Sequence, residues 1–269
     1  MSLVLVTGGT GHLGRDLVPA LLASGRRVRL LSGRPGNDDR VEWAQGDLAT
    51  GAGIEAALDG ADCVVHAATF SPIARRGLRF GDFFRSPADV DVTGTARLLE
   101  ASKTAGVSHF LYVSIVGLER SPLPYARVKL AGERLVRQSD LPWSVVRACP
   151  FYYLVAQTLE SMRPLPVWPV PDPRTNPVDT RDVAEHLVAC LGGAERGMLA
   201  EIGGPETMGL AEFARQYRAA HRLSKPVLPV PVTGRIGAAL GFNVAEGVAG
   251  RRSWSQWLAE QQDRSAARA

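Results

Sequence analysis

LVLVTGGTGHLGRDLVPALL, residues 3–22, restricts the fold more than any other part of the chain. A β-branched run ends in a turn holding Gly8, Gly9, Gly11 and Gly14, and a helical pattern begins at once. The spacing satisfies GxxGxxG from Gly8 and GxGxxG from Gly9. A glycine turn between a buried strand and a helix lets backbone N–H groups approach a pyrophosphate at the helix N-terminus. Thr10, His12 and Leu13 lie on the same turn; His12 either touches a phosphate or simply fills the helix entry.

The order of patterns that follows decides the architecture. Short runs rich in β-branched residues at 27–31, 41–45, 62–67, 109–114 and 143–148 lack clean alternation, as strands covered on both faces do. Helical stretches at 12–24, 52–59, 88–106 and 124–138 separate them, which implies a doubly wound parallel α/β sheet of the Rossmann type. We expect residues 1–150 to form the nucleotide-binding domain and 151–269 a small C-terminal substrate-binding lobe. In that lobe 163–177 reads as extended, 180–191 as a helix capped by Thr180, and 211–221 as a second helix. The last residues, QQDRSAARA, read as frayed.

The end of the second strand reads RLLSGRPGND, with no acid where a free ribose 2′-hydroxyl would be held. Ser32 and Arg34 stand there instead, and a hydroxyl with a guanidinium suits a 2′-phosphate, so NADP(H) is favoured over NAD(H). After the third strand, Asp47 and Leu48 would lie against the adenine; Asp47 equally fits as a cap for the next helix.

Candidate chemistry lies in SPLPYARVKL. Tyr125 and Lys129 are four apart at the start of a helix that Pro124 is suited to open, so the ammonium can sit beside the phenol, lower its pKa and reach a cofactor ribose. With five Tyr and three Lys in the chain, chance would give only about 0.06 such pairs. The basic side chains are otherwise arginine, 28 against three lysines, which singles out Lys129 further. Ser114, at the end of the fifth strand, either hydrogen-bonds a substrate oxygen or caps the following loop. Phe80, Phe83, Phe84, Tyr152, Tyr153 and Trp168 would line an apolar substrate pocket or pack in the core.

Composition excludes several classes. No run reaches the apolar length of a membrane span, and the first strand leaves no room for a leader, so a cytoplasmic protein is expected. The net charge of +4 is concentrated in residues 211–269, nine basic against four acidic, but singly and without stacking aromatics, which reads as a solvated face and not a nucleic-acid surface. Cys63, Cys149 and Cys190 sit in apolar segments at unrelated spacings and read as reduced core residues; the histidines lack metal-ligand spacing.

TGGTGHLG, CVVHAA, YVS, YARVK and VVRACPFYY, in this order, resemble the short-chain dehydrogenase/reductase superfamily and within it the atypical, NmrA-like NAD(P)-binding group. The resemblance implies an NADPH-dependent oxidoreductase acting on a small, hydrophobic carbonyl or quinone-like compound. It assigns Tyr125, Lys129 and Ser114 to catalysis, Ala67 and Ala68 to the cofactor wall, and Pro150 with Phe151 to the nicotinamide. CVVHAAT replaces the NNAG-like motif, so the asparagine of the superfamily's tetrad has no counterpart. Two alternatives remain: a non-catalytic NADP(H) redox sensor that binds a protein partner, and a nucleotide-sugar epimerase. Substrate and oligomeric state are not encoded in these motifs.

Overall fold

The computed structural model describes residues 1–69, 89–121, 124–231 and 244–266. Phe80, Phe83 and Phe84 lie outside them. The first half alternates as the sequence implies: β1 (Leu3–Thr7), α1 (His12–Ala23), β2 (Arg27–Ser32), β3 (Glu42–Gln45), α2 (Ile54–Leu58), β4 (Cys63–His66), α3 (Thr95–Thr104), β5 (His109–Ile115), α4 (Pro124–Arg137) and β6 (Trp143–Ala148). A π-helical turn, Asp89–Gly94, leads into α3.

The strands pair in parallel in the order β3-β2-β1-β4-β5-β6. Successive side chains of a strand face opposite sides. In β1, Val4 and Val6 therefore join Leu17, Leu21 and Leu187 on one face, while Leu5 joins Ile54, Leu98 and Phe110 on the other. With both faces covered, all five residues of β1 are buried, which explains a run with no polar alternation. The carboxyl ends of the strands, from Thr7 and Ser32 to Ser114 and Ala148, open on one edge of the sheet, where ligands of such sheets bind.

Beyond residue 150 the chain is shared between two places. α6 (Thr180–Gly192) packs on α1, and its Val183 and Leu187 enter the first core. The short strands β9 (Gly197–Met198), β10 (Ile202–Gly203) and β13 (Val248–Ala249) extend the main sheet beyond β6. The other pieces are α5 (Tyr152–Ser161), β7 (Trp168–Pro171), β8 (Arg174–Thr175), β11 (Met208–Gly209), α7 (Leu210–Ala220), β12 (Val227–Val230) and α8 (Trp254–Ala266). From these a third core forms around Leu159, Trp168, Phe213, Tyr217 and Trp254.

Two local expectations are corrected. The cap of α6 is Asp179, whose carboxylate accepts from the Arg181 N–H at 2.8 Å; the Thr180 hydroxyl instead donates to Asp16 at 2.5 Å, joining α6 to α1. The polar tail is helical as far as Ala266, because α8 is anchored at its start by Trp254, fully buried with its indole N–H donated to the Phe213 carbonyl. α5 is a helix that the periodicity did not predict, because its exposed polar stripe is confined to Gln157, Glu160 and Ser161. All three cysteines are free, with Cys149 buried and Cys63 and Cys190 half-buried.

Candidate active site

A cleft of about 1360 Å³ runs along the carboxyl ends of the strands. It begins at the glycine turn, where Gly8, Thr10, Gly11, His12 and Leu13 line it. Gly8 has φ +77°, and a Cβ there would stand 2.7 Å from the Ala68 nitrogen; only glycine fits. Gly14 lies behind the wall, and a Cβ on it would meet the Gly8 and Gly9 carbonyl oxygens within 2.4 Å, so it seats α1 against the turn. α1 starts after Gly11 with no side-chain cap and no acid in its first turn. Its open amides and positive dipole end face the cleft, and this donor set fits a dinucleotide's pyrophosphate.

Along the next strand ends the wall is formed by Ser32, Asp47, Leu48, Ala67 and Ala68. The Ser32 hydroxyl donates to the Arg34 carbonyl at 2.8 Å and closes that turn. Arg34 is exposed and borders, with Ser32 and Trp43, an adjoining hollow of about 580 Å³. Asp38 does not compete for it: Arg40 holds its carboxylate at 2.8 Å and pulls the carboxyl down to about 2. Asp47 accepts from the Ala49 N–H at 2.9 Å through one oxygen and lines the cleft; it does not cap the next helix, since α2 begins after Gly53 with no side-chain cap.

Tyr125 and Lys129 occupy one face of α4 and both line the cleft. Lys129 is 3% exposed; its Nζ lies 3.4 Å from Asp91 Oδ1 and 4.9 Å from the centre of the Tyr112 ring. Burial opposes the ammonium charge, but Tyr112, Asp91 and Tyr125 outweigh it and its pKa rises. The expected net lowering of the Tyr125 pKa is corrected. Burial raises it, and although Lys129 pulls it down, the pull does not prevail. Asp91, on the π-helical turn, was not found from sequence: the motif DVDVTG shows no feature that distinguishes it from a solvated acid.

Behind this pair runs a buried polar chain whose direction can be worked out. The Ala68 amide can only donate, and does so to Thr7 Oγ1 at 3.4 Å; Thr7 Oγ1 lies 2.6 Å from His66 Nδ1. At the other end, Thr95 Oγ1 donates to the Asp91 carbonyl at 3.0 Å and lies 2.9 Å from His66 Nε2. The proton of the ring therefore sits on Nε2. Burial first and Lys129 second press the His66 pKa down to about 3, so the imidazole is neutral.

Ser114 is 2% exposed at the end of β5 and borders the cleft, but its hydroxyl donates to Glu133 Oε2 at 2.7 Å. Glu133, fully buried one turn beyond Lys129, is also gripped by Arg147 at 2.7 and 3.0 Å. The one proton of Ser114 is thus used within the protein, leaving it only acceptor capacity toward the cleft.

The opposite wall carries Pro150, Phe151 and the cleft side of α5. Tyr153 stacks on His12 with ring centres 3.9 Å apart, and on Phe151 at 5.7 Å. His12 therefore joins the glycine turn to α5, a role no short motif announces. Burial and then the nearby Tyr125 push the Tyr153 phenol up to about 12, so it stays protonated. Tyr152 and Trp168 belong to the third core instead, each at most 1% exposed. Among the described residues no cluster of His, Cys, Asp or Glu could hold a metal ion, and no helix is long and apolar enough to cross a membrane.

Comparison with known proteins identifies the family and the fold. Residues 8–193 match a family described as NAD(P)H-binding. The photosystem II assembly factor Ycf39 of Trieres chinensis is 31% identical over 198 residues, 70% of this chain and 59% of that protein. A (4-alkanoyl-5-oxo-2,5-dihydrofuran-3-yl)methyl phosphate reductase of Streptomyces griseus is 29% identical over 80% of this chain and 72% of that protein. The chain spans roughly half the length of the curated relatives it matches first. A short-chain dehydrogenase/reductase superfamily protein from Agrobacterium tumefaciens, solved with bound NAD, has the same fold, with a TM-score of 0.77 at 22% identity over 99% of both chains. The chain belongs to the NAD(P)H-binding family, and its fold is that of the short-chain dehydrogenase/reductase protein just compared.

Proposed function

We propose that this protein is an NADP(H)-dependent oxidoreductase that reduces a hydrophobic carbonyl or quinone-like compound. The observation that carries the reading is the placement of Tyr125 and Lys129 on one helix face, in the same cleft as the uncapped glycine turn. Gly8, Thr10, Gly11, His12 and Leu13 would hold the pyrophosphate, Asp47, Leu48, Ala67 and Ala68 the adenosine side, and Pro150 with Phe151 the nicotinamide. Gly14 acts through the turn it supports. Ser32 shapes the turn that presents Arg34 to the 2′-phosphate.

The chemistry a bound NADPH supplies is a hydride for the carbonyl carbon. Tyr125 delivers the proton to the oxygen, which completes reduction to the alcohol. Lys129, kept charged between Asp91 and Tyr112, favours the phenolate left behind. The Ser114 hydroxyl already donates its hydrogen bond to Glu133, so the second donor to the substrate oxygen is assigned to Tyr153, and Ser114 becomes a positioning residue.

The test is Tyr125→Phe, assayed by NADPH oxidation against a panel of aldehydes, ketones and quinones. Turnover should fall at least a hundredfold with NADPH affinity unchanged; equal turnover in the variant refutes the mechanism. A non-catalytic role is the second reading, supported by the likeness to an assembly factor. It requires cofactor binding, no NADPH oxidation with any member of the panel, and a stable complex with a protein partner.

A further inference from the structure

The cleft is larger than one cofactor needs. Its volume of about 1360 Å³ exceeds the range of roughly 300–1,000 Å³ common for a single ligand, so it has room for two molecules end to end. The part beyond Tyr125 has a consistent chemistry. Tyr153, Leu154, Val155, Thr158 and Leu159 of α5 and Met162 at its C-cap line it, all but Tyr153 falling within about 140° of the helix surface. Val170 and Leu210 contribute from β7 and the start of α7. None of the described residues lining this part is Asp, Glu, Lys or Arg. A diphosphate would need cationic or charge-assisted partners there, and buried without them it would be strongly disfavoured. The hydroxyl of Thr158 is donated to the Leu154 carbonyl at 2.8 Å, so the one polar side chain midway along this face already spends its proton on the helix.

Polarity is thus confined to one end, where Tyr125 and Tyr153 stand, and the rest is apolar. From Tyr153 to Met162 the helix advances about 13 Å, the extent of a straight chain of about ten carbons. We propose that the substrate is a carbonyl compound with an extended apolar chain of about this length, laid along α5 with its oxygen at Tyr125. The inference rests on the oxidoreductase reading for the reacting end and on the α5 wall for the chain.

The test uses a pairing in which no hydride can move: straight-chain primary alcohols of four to fourteen carbons, titrated by calorimetry into protein saturated with NADPH. Kd should fall about three- to fourfold per added methylene and level off near ten carbons. Leu154→Glu, on the half-buried side of α5, should raise the Kd of decanol at least tenfold while leaving NADPH affinity unchanged. Met162→Trp should move the plateau to shorter chains, which a general loss of folding would not do. A flat series, or UDP-glucose displacing decanol, overturns the assignment. Decanal and propanal assayed with NADPH separate the two ideas. A steep binding series with neither aldehyde reduced supports the apolar compartment and counts against the oxidoreductase reading. Equal kcat/KM for both, with a flat series, does the reverse.

Discussion

Replacing Asp91 by Asn should destabilise the protein more than almost any other single change of one atom group. Asp91 is 1% exposed and Lys129 3%, and their charged atoms lie 3.4 Å apart. At an effective dielectric of about 20 the attraction at that distance is about 5 kcal/mol. The amide keeps the shape and removes the charge, so a buried ammonium remains opposite a neutral group, a loss of roughly 3–5 kcal/mol. Lys129 can reduce the penalty only by releasing its proton, so its folded pKa drops below the unfolded value of about 10.4. Between those two values the unfolded chain binds the extra proton, and the stability of the variant should rise with pH. Urea unfolding of wild type, Asp91→Asn, Lys129→Met and the double variant, at pH 7 and pH 9, measures each part. The double variant should recover most of the loss, since a buried pair replaced by apolar volume is often neutral. If Asp91→Asn stays within about 1 kcal/mol of wild type, or the two single losses simply add, the ion pair does not hold this end of α4.

Two further outcomes follow from the same geometry. The folded pKa of His66, about 3, lies below the unfolded value of about 6.5, so its contribution is full above pH 6.5 and is lost by about 1.4 kcal/mol per unit as pH falls toward 3. His66→Gln should flatten the change in urea stability between pH 6.5 and 4.5, and an unaltered slope would place that proton elsewhere. Arg34→Ala should weaken NADPH roughly ten- to a hundredfold in a fluorescence titration and leave NADH alone, because a charge-assisted contact is worth about 1.5–3 kcal/mol; equal losses for both cofactors would remove Arg34 from 2′-phosphate recognition.

The parts of the architecture that sequence made visible are those set by local rules. β1 through β6 and α1 could be read because short strand-like runs alternate with helical patterns, β1 is continuously apolar, and the glycine turn has one workable geometry. Tyr125 and Lys129 were visible because a four-residue spacing on a helix guarantees a shared face. Their surroundings were not. Asp91 reaches Lys129 from a π-helical turn 38 positions away, and Glu133 accepts the Ser114 hydrogen bond through tertiary packing alone. The net upward pKa of Tyr125 likewise depends on burial, which spacing cannot report. α5 is harder to read because its polar stripe is short, Gln157, Glu160 and Ser161, while the rest of its surface packs in a core or borders the cleft.

The way the chain comes back to its own sheet has a mechanical consequence. Val178 N–H donates to the Pro150 carbonyl and Tyr152 N–H to the Val178 carbonyl, each at 3.0 Å, while Cys149 N–H donates to Ile202 at 2.9 Å. Swinging α5 outward as a rigid flap would first break these bonds, at about 1 kcal/mol apiece. The start of α5 is therefore tied to the sheet edge, and moving that end outward would cost these bonds together, about 3 kcal/mol.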